Sequence, residues 1–209
     1  MEISSSILSI TSRINQSEDR WKALYMATWG YSYQIKAQFE NTDNWDKKLE
    51  FGLPASKNNN RHVYTPHQIH SILTTRDGEF TLGNLQVLFS LFEDLLKEAS
   101  KILCSSELDT SKWQNIKQFF DENNDIISET QLKELKLAKE TRNCYIHTSG
   151  KIDQRWIDAY KEAKGNPIGL IGDELEKGFP NLFYQIEEWN ELIVILTNNI
   201  KSKIGNKQD

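Results

Sequence analysis

The sequence contains few cysteines, no long apolar run and no excess of basic residues. Two cysteines among 209 residues, Cys104 and Cys144, form neither a disulfide framework nor a four-cysteine zinc site, and they are typical of a reducing compartment. The longest strictly apolar run, Leu192 to Leu196, is far shorter than the ~20 residues that cross a bilayer. The first residues lack the basic segment and cleavage site of a secretory signal. We therefore expect a cytoplasmic protein with no membrane partner.

The charge balance limits the classes of partner. A formal net charge of −5 argues against a protein that wraps nucleic acid by bulk electrostatics, although it permits a local basic site. Apolar residues make up 38% of the chain and charged residues 26%, which is ordinary for a globular protein. The length fits one domain, or one domain with an extension.

The apolar residues recur at helical spacing along most of the chain, which predicts an all-α, up-and-down helical bundle with four to five core helices. The strongest helix is predicted from Thr81 to Leu103. Ser128, with a glutamine three residues later, is a capping box that opens another. A long final helix is predicted from Asn181.

The N-terminal residues are predicted to form a helical extension packed on that bundle. Ile3 to Ile14 have the spacing of a short first helix, and Ser17 is placed to cap a second helix that runs to about Glu40. We expect residues 1–80 to be the extension, 81–203 the bundle and 204–209 a flexible tail. Residues 41–66 show no regular pattern, and the glycine-rich stretch at 168–178 is compatible with one tiny hairpin.

The most informative segment is Thr141-Arg-Asn-Cys-Tyr-Ile-His147, at the end of the helix that Ser128 opens. At 100° per residue, Arg142 falls near the centre of an apolar stripe. An unpaired charge there costs several kcal/mol. We therefore expect this arginine to be paired with an acid, to lie at an interface or to take part in the function of a site. His147 supplies a side chain that titrates near neutral pH.

These residues resemble the signature of the HEPN family, an arginine followed by four to six residues and a histidine, often with asparagine after the arginine. Arg142, Asn143 and His147 match that pattern, and the likeness extends over about residues 80–201. It is greatest to the HEPN proteins of prokaryotic toxin–antitoxin and phage-defence loci. Some of these carry a tyrosine two residues after the histidine, as the target of an antitoxin. Ser149 stands there in this chain, so that route of neutralisation is not expected.

The resemblance implies a metal-independent endoribonuclease without a cofactor, whose catalytic residues are Arg142, His147 and Asn143. It implies a homodimer in which two motifs form one cleft, RNA as substrate, and an antitoxin or defence-system protein as partner. The residue types suit attack by a 2′-hydroxyl on the adjacent phosphate. An imidazole can accept the proton of the 2′-hydroxyl at neutral pH, and a guanidinium can bind two of the charged phosphorane oxygens at once. Residues five positions apart on one helix differ by about 140° around its axis, so either the helix bends or ends before His147, or the pairing runs between protomers.

The region around the motif is locally basic. Residues 131–164 contain eight Lys and Arg against five acidic residues. Lys139, Lys151 and Arg155 are candidates for weak RNA contacts there, the alternative being a normally solvated helix surface.

Other interpretations remain open at this point. Arg142 is also explained as a buried cation paired with Glu93 or Asp94, in a non-catalytic helical module that binds nucleotide, RNA or a partner protein. Arg61 and His67 fit the Arg–His pattern as well, which we interpret as a chance match on a loop. His62, His67 and His70 are interpreted as structural or surface histidines, since no carboxylate or cysteine has a matching metal-ligand spacing, and no metal is expected. Cys144 is interpreted as a packing residue.

Overall fold

The computed structural model describes residues 4–51, 62–75, 77–167, 169–175 and 182–208. Seven helices and two short strands lie in these ranges. In chain order they are α1 (Ser5–Phe39), β1 (Leu49–Phe51), β2 (His62–Tyr64), α2 (Pro66–Thr75), α3 (Asp77–Leu103), α4 (Trp113–Glu122), α5 (Glu129–His147), α6 (Gln154–Lys164) and α7 (Leu182–Gln208). The chain is thus predominantly helical, as predicted. Within the described ranges, no helix combines the length and apolarity that crossing a membrane requires.

The chain divides into two compact units. One comprises residues 1–19 and 81–209, and the other comprises residues 20–80. The C-terminal boundary of the smaller unit coincides with the division expected at residue 80. The first 19 residues, however, belong to the same unit as the helical bundle, because Ile7 and Ile14 are completely buried and Ile10 nearly so in its core.

The core of the larger unit forms where the apolar faces of its helices meet. Its largest fully buried side chains are Trp156, Trp189, Phe89, Phe92 and Phe120. Helix α5 packs against both α6 and α7. Burying an aliphatic or aromatic side chain of this kind contributes about 1.5–3 kcal/mol, so this shared core determines how α5 is held.

The smaller unit contains most of α1, the two strands and α2. Strands β1 and β2 pair antiparallel, with Leu49 opposite Tyr64 and Phe51 opposite His62. This corrects the expectation that residues 41–66 are irregular, because strands of three residues are too short to show an alternating pattern. His70 Nδ1 lies 2.8 Å from Ser32 Oγ and so connects α2 with α1.

Helix α1 also differs from the prediction. It is a single helix of 35 residues from Ser5 to Phe39, rather than two helices separated at Ser17. Neither proline nor glycine lies between Ile14 and Glu18, so nothing in the backbone requires a break. A serine is a favourable N-cap, but this position shows that it does not by itself begin a helix.

The glycine-rich stretch and the C-terminus are the other differences. The described part of the expected hairpin, residues 169–175, makes a turn between Leu170 and Asp173 and pairs with the loop after α5, through an isolated bridge between Lys151 and Glu174. Helix α7 continues through the expected tail to Gln208. Ile204 there is fully buried, since it continues the apolar stripe of the helix four residues beyond Ile200.

Truncation of Ile204 tests whether the end of α7 belongs to the core. We expect Ile204→Ala to lower the free energy of unfolding by about 2 kcal/mol or more, because it removes a buried side chain and leaves a cavity. The measurement is urea unfolding followed by far-UV circular dichroism. Ile195→Ala, at a position on the same helix that is 48% exposed, is the control and should change stability by less than about 0.5 kcal/mol. Equal effects of the two substitutions would contradict this placement.

Candidate functional site

Helix α5 is fixed at its start and along both flanks. The Ser128 side chain accepts a hydrogen bond from the Gln131 amide, and the Gln131 side chain accepts one from Ser128, which completes the predicted capping box. Trp156 of α6 donates from Nε1 to Thr141 Oγ1 at 3.0 Å, and Trp189 of α7 donates to Glu134 Oε2 at 3.0 Å. The sequence motif is therefore carried on a helix with little freedom to rotate.

Arg142 lies against α3 and is half-buried. Its Nη2 atom donates to Ser90 Oγ at 3.2 Å and lies 3.6 Å from Glu93 Oε2. Its side chain is 17% exposed, and within the described part of the chain its buried Nε has no hydrogen-bond partner. The ion pair agrees with the alternative in which this arginine is neutralised by Glu93.

Lys139 shares the same carboxylate, and this corrects its assignment as a surface RNA contact. Its Nζ lies 2.7 Å from Glu93 Oε1 and donates to the Thr110 carbonyl at 2.8 Å, and the residue is 4% exposed. The physical reason is helical geometry, since a residue three positions before Arg142 lies only about 60° away from it. We call Glu93, Lys139, Arg142 and Ser90 the α3–α5 charge cluster.

Asn143 belongs to a second polar group, on the side of α5 that meets the start of α6. Its Nδ2 donates to Glu140 Oε2 at 3.2 Å. Arg155 Nε lies 3.9 Å from that same oxygen, and Arg155 also contacts Asp153 Oδ2 at 3.0 Å. Partial burial acts to raise the pKa of Asp153, but hydrogen bonds from the Trp156 amide and from Arg155 together outweigh it, so that the pKa of this carboxyl is lowered.

His147 is exposed and is the last residue of α5. The turn that follows it contains two residues in the left-handed region, Ser149 with φ 54° and Gly150 with φ 81°. This turn is held from both sides, because the Gly150 amide donates to the Cys144 carbonyl and the Gly150 carbonyl accepts from the Leu175 amide at 2.9 Å. The position at which α5 ends is thus fixed, while the imidazole remains open to solvent.

The structure brings Asn143 and His147 to one side of α5 and leaves Arg142 on another. Residues four apart differ by about 40° around a helix, whereas residues five apart differ by about 140°. The helix runs unbroken through His147, so the expectation that it ends before that residue is wrong. Arg142 and His147 therefore diverge within one chain.

The basic stretch around the motif is largely neutralised. Six of its eight cations lie in ion pairs, namely Lys133–Glu129, Lys136–Glu162, Lys139–Glu93, Arg142–Glu93, Arg155–Asp153 and Lys164–Glu134. Of the three candidate RNA contacts, Lys151 and Arg155 are exposed, and the Arg155 side chain is 63% exposed. The local excess of positive charge is consequently weaker than the sequence count suggests.

Two histidines of the smaller unit, His67 and His70, have structural contacts. His67 stacks on Trp45, with 5.3 Å between ring centroids, and its Nδ1 lies 3.2 Å from Asp46 Oδ1. Among the residues that the structure describes, no group of three or more His, Cys, Asp and Glu side chains lies together in an arrangement that suits a metal ion. Arg61, the other half of the second Arg–His match, lies outside the described residues.

Cys144 is completely buried, in agreement with its interpretation as a packing residue. Burial raises the pKa of its thiol to about 11, so the thiol is protonated at neutral pH. Neither its protonation state nor its accessibility suits a nucleophile.

The α3–α5 charge cluster is the part of the site that the sequence analysis foresaw only in outline. Glu93 occupies an apolar position of α3, four residues after Phe89 and one after Phe92. An acid in the apolar stripe of one helix and two cations in the stripe of another are the signal of a buried pair. Glu140 carried no such signal, because the cation that approaches it, Arg155, belongs to α6 and lies beyond the end of α5. Comparison of the chain with protein-family models, with curated proteins and with solved structures gave no match.

Removal of the Glu93 charge tests the importance of the cluster for stability. We expect Glu93→Gln to lower the free energy of unfolding by about 3–5 kcal/mol, because it leaves two largely buried cations without their counter-ion. Asp94→Asn is the matched control, because among the described residues Asp94 forms an exposed pair with Lys97 at 3.4 Å, whose loss should cost under about 1 kcal/mol. The measurement is urea unfolding at neutral pH. Similar losses for both variants would contradict a central role for Glu93.

Alkylation distinguishes the two thiols. Because the raised pKa leaves little Cys144 thiolate, iodoacetamide at pH 8 should modify the half-buried Cys104 first and leave Cys144 intact in the folded protein. Peptide mass spectrometry measures both rates, and unfolding in urea should expose both cysteines. Faster modification of Cys144 than of Cys104 in the folded protein would show that its environment is not the buried one described here.

Proposed function

We propose that this protein is a HEPN-type, metal-independent endoribonuclease that acts as a homodimer. The observation that carries the proposal is the charge balance of the α3–α5 charge cluster. Two cations, Lys139 and Arg142, share the single carboxylate of Glu93, and the buried Arg142 Nε has no partner within the described residues. A cluster with one uncompensated positive charge favours an anion, and a phosphate diester is an anion whose oxygens match a guanidinium.

The chemistry requires a base for the 2′-hydroxyl, stabilisation of the phosphorane and an acid for the leaving oxygen. His147 is solvent-accessible, and its imidazole is the group in the motif that can accept the 2′-hydroxyl proton. The 2′-oxygen then bonds to phosphorus, the bond to the 5′-oxygen breaks, and that oxygen takes a proton. The products are a 2′,3′-cyclic phosphate, or the 3′-phosphate formed from it by water, and a 5′-hydroxyl. Asn143 lies on the His147 side of α5 and is suited to position it or the substrate.

A dimer follows from the divergence of Arg142 and His147 along an unbroken α5. Within one chain the two side chains point about 140° apart, so the guanidinium of one protomer would serve the imidazole of the other. A two-fold axis also supplies two imidazoles to one cleft, one as base and one, protonated, as acid. Lys151 and Arg155 are the exposed candidates for contacts to flanking phosphates.

The second candidate function is a non-catalytic helical module that binds a nucleotide, RNA or a partner protein. The ion pair between Arg142 and Glu93 and the hydrogen bond from Arg142 to Ser90 favour it, since they assign the arginine a role in stabilising the helix pair. This alternative predicts binding without cleavage, and loss of stability rather than of activity in Arg142 variants.

The resemblance to toxin and phage-defence proteins extends the proposal to a cellular role. A ribonuclease of this type would act as a toxin or abortive-infection effector, and it would be restrained by an antitoxin or another defence-system protein until needed. Growth arrest on expression of the parent chain, absent for His147→Ala, is the corresponding observation in cells.

Paired variants test the catalytic assignment and the dimer together. We expect Arg142→Ala and His147→Ala each to lower the rate of cleavage of single-stranded RNA by a factor of about 10²–10⁴. A heterodimer of the two variants, co-expressed with different tags and purified through both, keeps one inter-protomer Arg142–His147 pairing but lacks the second imidazole. It should therefore cleave faster than either homodimeric variant and more slowly than half of the parent rate. Gel analysis of labelled RNA with EDTA present measures the rates.

Ile146→Ala is the matched control, since this neighbour of His147 is 38% exposed and takes no part in the proposed chemistry. Its rate should equal that of the parent. Parent-like cleavage by His147→Ala would exclude His147 as a catalytic residue. A heterodimer that stays inactive would exclude pairing between protomers, and loss of the parent activity to EDTA would point to a metal-dependent mechanism instead.

A further inference from the structure

The smaller unit differs in composition from the rest of the chain. Residues 20–80 contain eight Lys and Arg against six Asp and Glu, a formal net charge of +2 in a chain whose total is −5. The remaining residues therefore carry −7. The same 61 residues contain ten of the 22 aromatic residues and three of the four histidines. A basic, aromatic-rich unit in an acidic protein requires an explanation that core packing alone does not provide.

The aromatic residues of this unit follow a regular pattern on α1. Trp21, Tyr25, Trp29 and Tyr33 are each four residues apart, which places them along one slowly turning stripe of the helix. Trp21 and Tyr25 stack with centroids 5.6 Å apart, and Tyr25 meets the edge of Trp29 at 6.2 Å. The series of rings is thus in mutual contact at its N-terminal end.

Exposure increases along this stripe. Trp21 is buried, with 2% of its surface accessible, whereas Trp29 is 44% exposed and Tyr33 is 70% exposed. Met26, which is 72% exposed, lies beside them. Single exposed apolar residues are common, but two large rings and a methionine on adjacent turns of one helix face indicate a binding surface. We call Met26, Trp29 and Tyr33 the α1 aromatic face.

Positive charge flanks the same face. At 100° per residue, Lys22 and Lys36 each lie within about 20° of Trp29 around the helix axis. Glu40 lies there as well and pairs with Lys36 at 3.5 Å, in a contact that is 45% exposed on both sides. Such an exposed pair is worth under about 1 kcal/mol, so a phosphate competes readily for the lysine.

We infer that the α1 aromatic face binds single-stranded RNA, with bases stacked on Trp29 and Tyr33 and the backbone near Lys22 and Lys36. Exposed rings flanked on both sides by lysines match the two surfaces of a single strand, flat bases and a phosphate chain. A second copy of the chain would place the same lysines against each other, and the local charge therefore favours the nucleic acid. The choice of RNA over DNA rests on the proposed function; the stacking surface itself does not.

The experiment measures binding separately from cleavage. A fluorescein-labelled 2′-O-methyl oligouridine of 15 nucleotides lacks the attacking hydroxyl and cannot be cleaved by the proposed mechanism. Fluorescence anisotropy with the full chain should give saturable binding that weakens as salt is raised. The double variant Trp29→Ala, Tyr33→Ala should bind at least tenfold more weakly, whereas Trp29→Phe, Tyr33→Phe should stay within about twofold of the parent, because both rings are retained.

Leu24 and Tyr31 provide the matched control. They lie on the same helix, are 55% and 48% exposed, and are about 140–160° away from Trp29 around its axis. Leu24→Ala, Tyr31→Ala should bind the oligonucleotide as the parent does. Circular dichroism verifies that each variant is folded, and Tyr33→Ala alone, at the most exposed ring, replaces the double variant if that one fails to fold.

Several outcomes would overturn the inference. The inference is wrong if the parent does not bind the RNA, or if the control and the double alanine variant lose affinity equally. It is also wrong if a DNA oligonucleotide binds more tightly than the RNA, or if an abasic strand, which offers no base to stack, binds equally well. If the parent binds no RNA and sediments as a dimer, while the double alanine variant sediments as a monomer, the face is a contact between copies of the chain. Retained binding with no cleavage of ordinary RNA would refute the proposed function alone.

Discussion

One carboxylate sets the relation between α3 and α5. Glu93 occupies an apolar position of α3 and forms ion pairs with both Lys139 and Arg142 on the facing helix. Burying three charged groups costs several kcal/mol each unless they compensate one another. Rotation or sliding of either helix would separate these charges, and it is therefore opposed by the desolvation cost of leaving them unpaired. The packing of α6 and α7 on α5, the exposure of His147 and the divergence of Arg142 from it all presuppose this fixed orientation.

Local patterns in the sequence predicted the parts of the fold that depend on near neighbours. The capping box at Ser128 and the apolar stripes of α3 and α7 are properties of residues within a few positions of one another. The pairing of Lys139 with Glu93 joins residues 46 positions apart and was missed. The sequence does not distinguish a buried lysine from an exposed one, because its burial depends on the helix that packs against it.

The candidate site was predictable as a set of residues but not as an arrangement. The sequence placed Arg142 in an apolar stripe and named Glu93 as one possible counter-ion, and the structure contains that ion pair. The approach of Arg155 to Glu140 depends on how the chain turns at Ser149 and Gly150, which both adopt left-handed conformations. Turn geometry of this kind follows from tertiary hydrogen bonds to residues 172–175, and no periodicity in the sequence encodes it.

The end of α7 bears on how the protein forms during synthesis. Lys207 donates to the carbonyls of Ile102 and Leu103, about a hundred positions earlier, and Ile204 fills the core beside them. Contacts of such long sequence separation form late, since loop closure precedes them. A ribosome that has translated α3 to α6 therefore holds a bundle that still lacks α7, and the larger unit closes only after this helix has emerged. For a protein proposed to destroy RNA, this order of events would delay assembly of the active form until α7 has been synthesised.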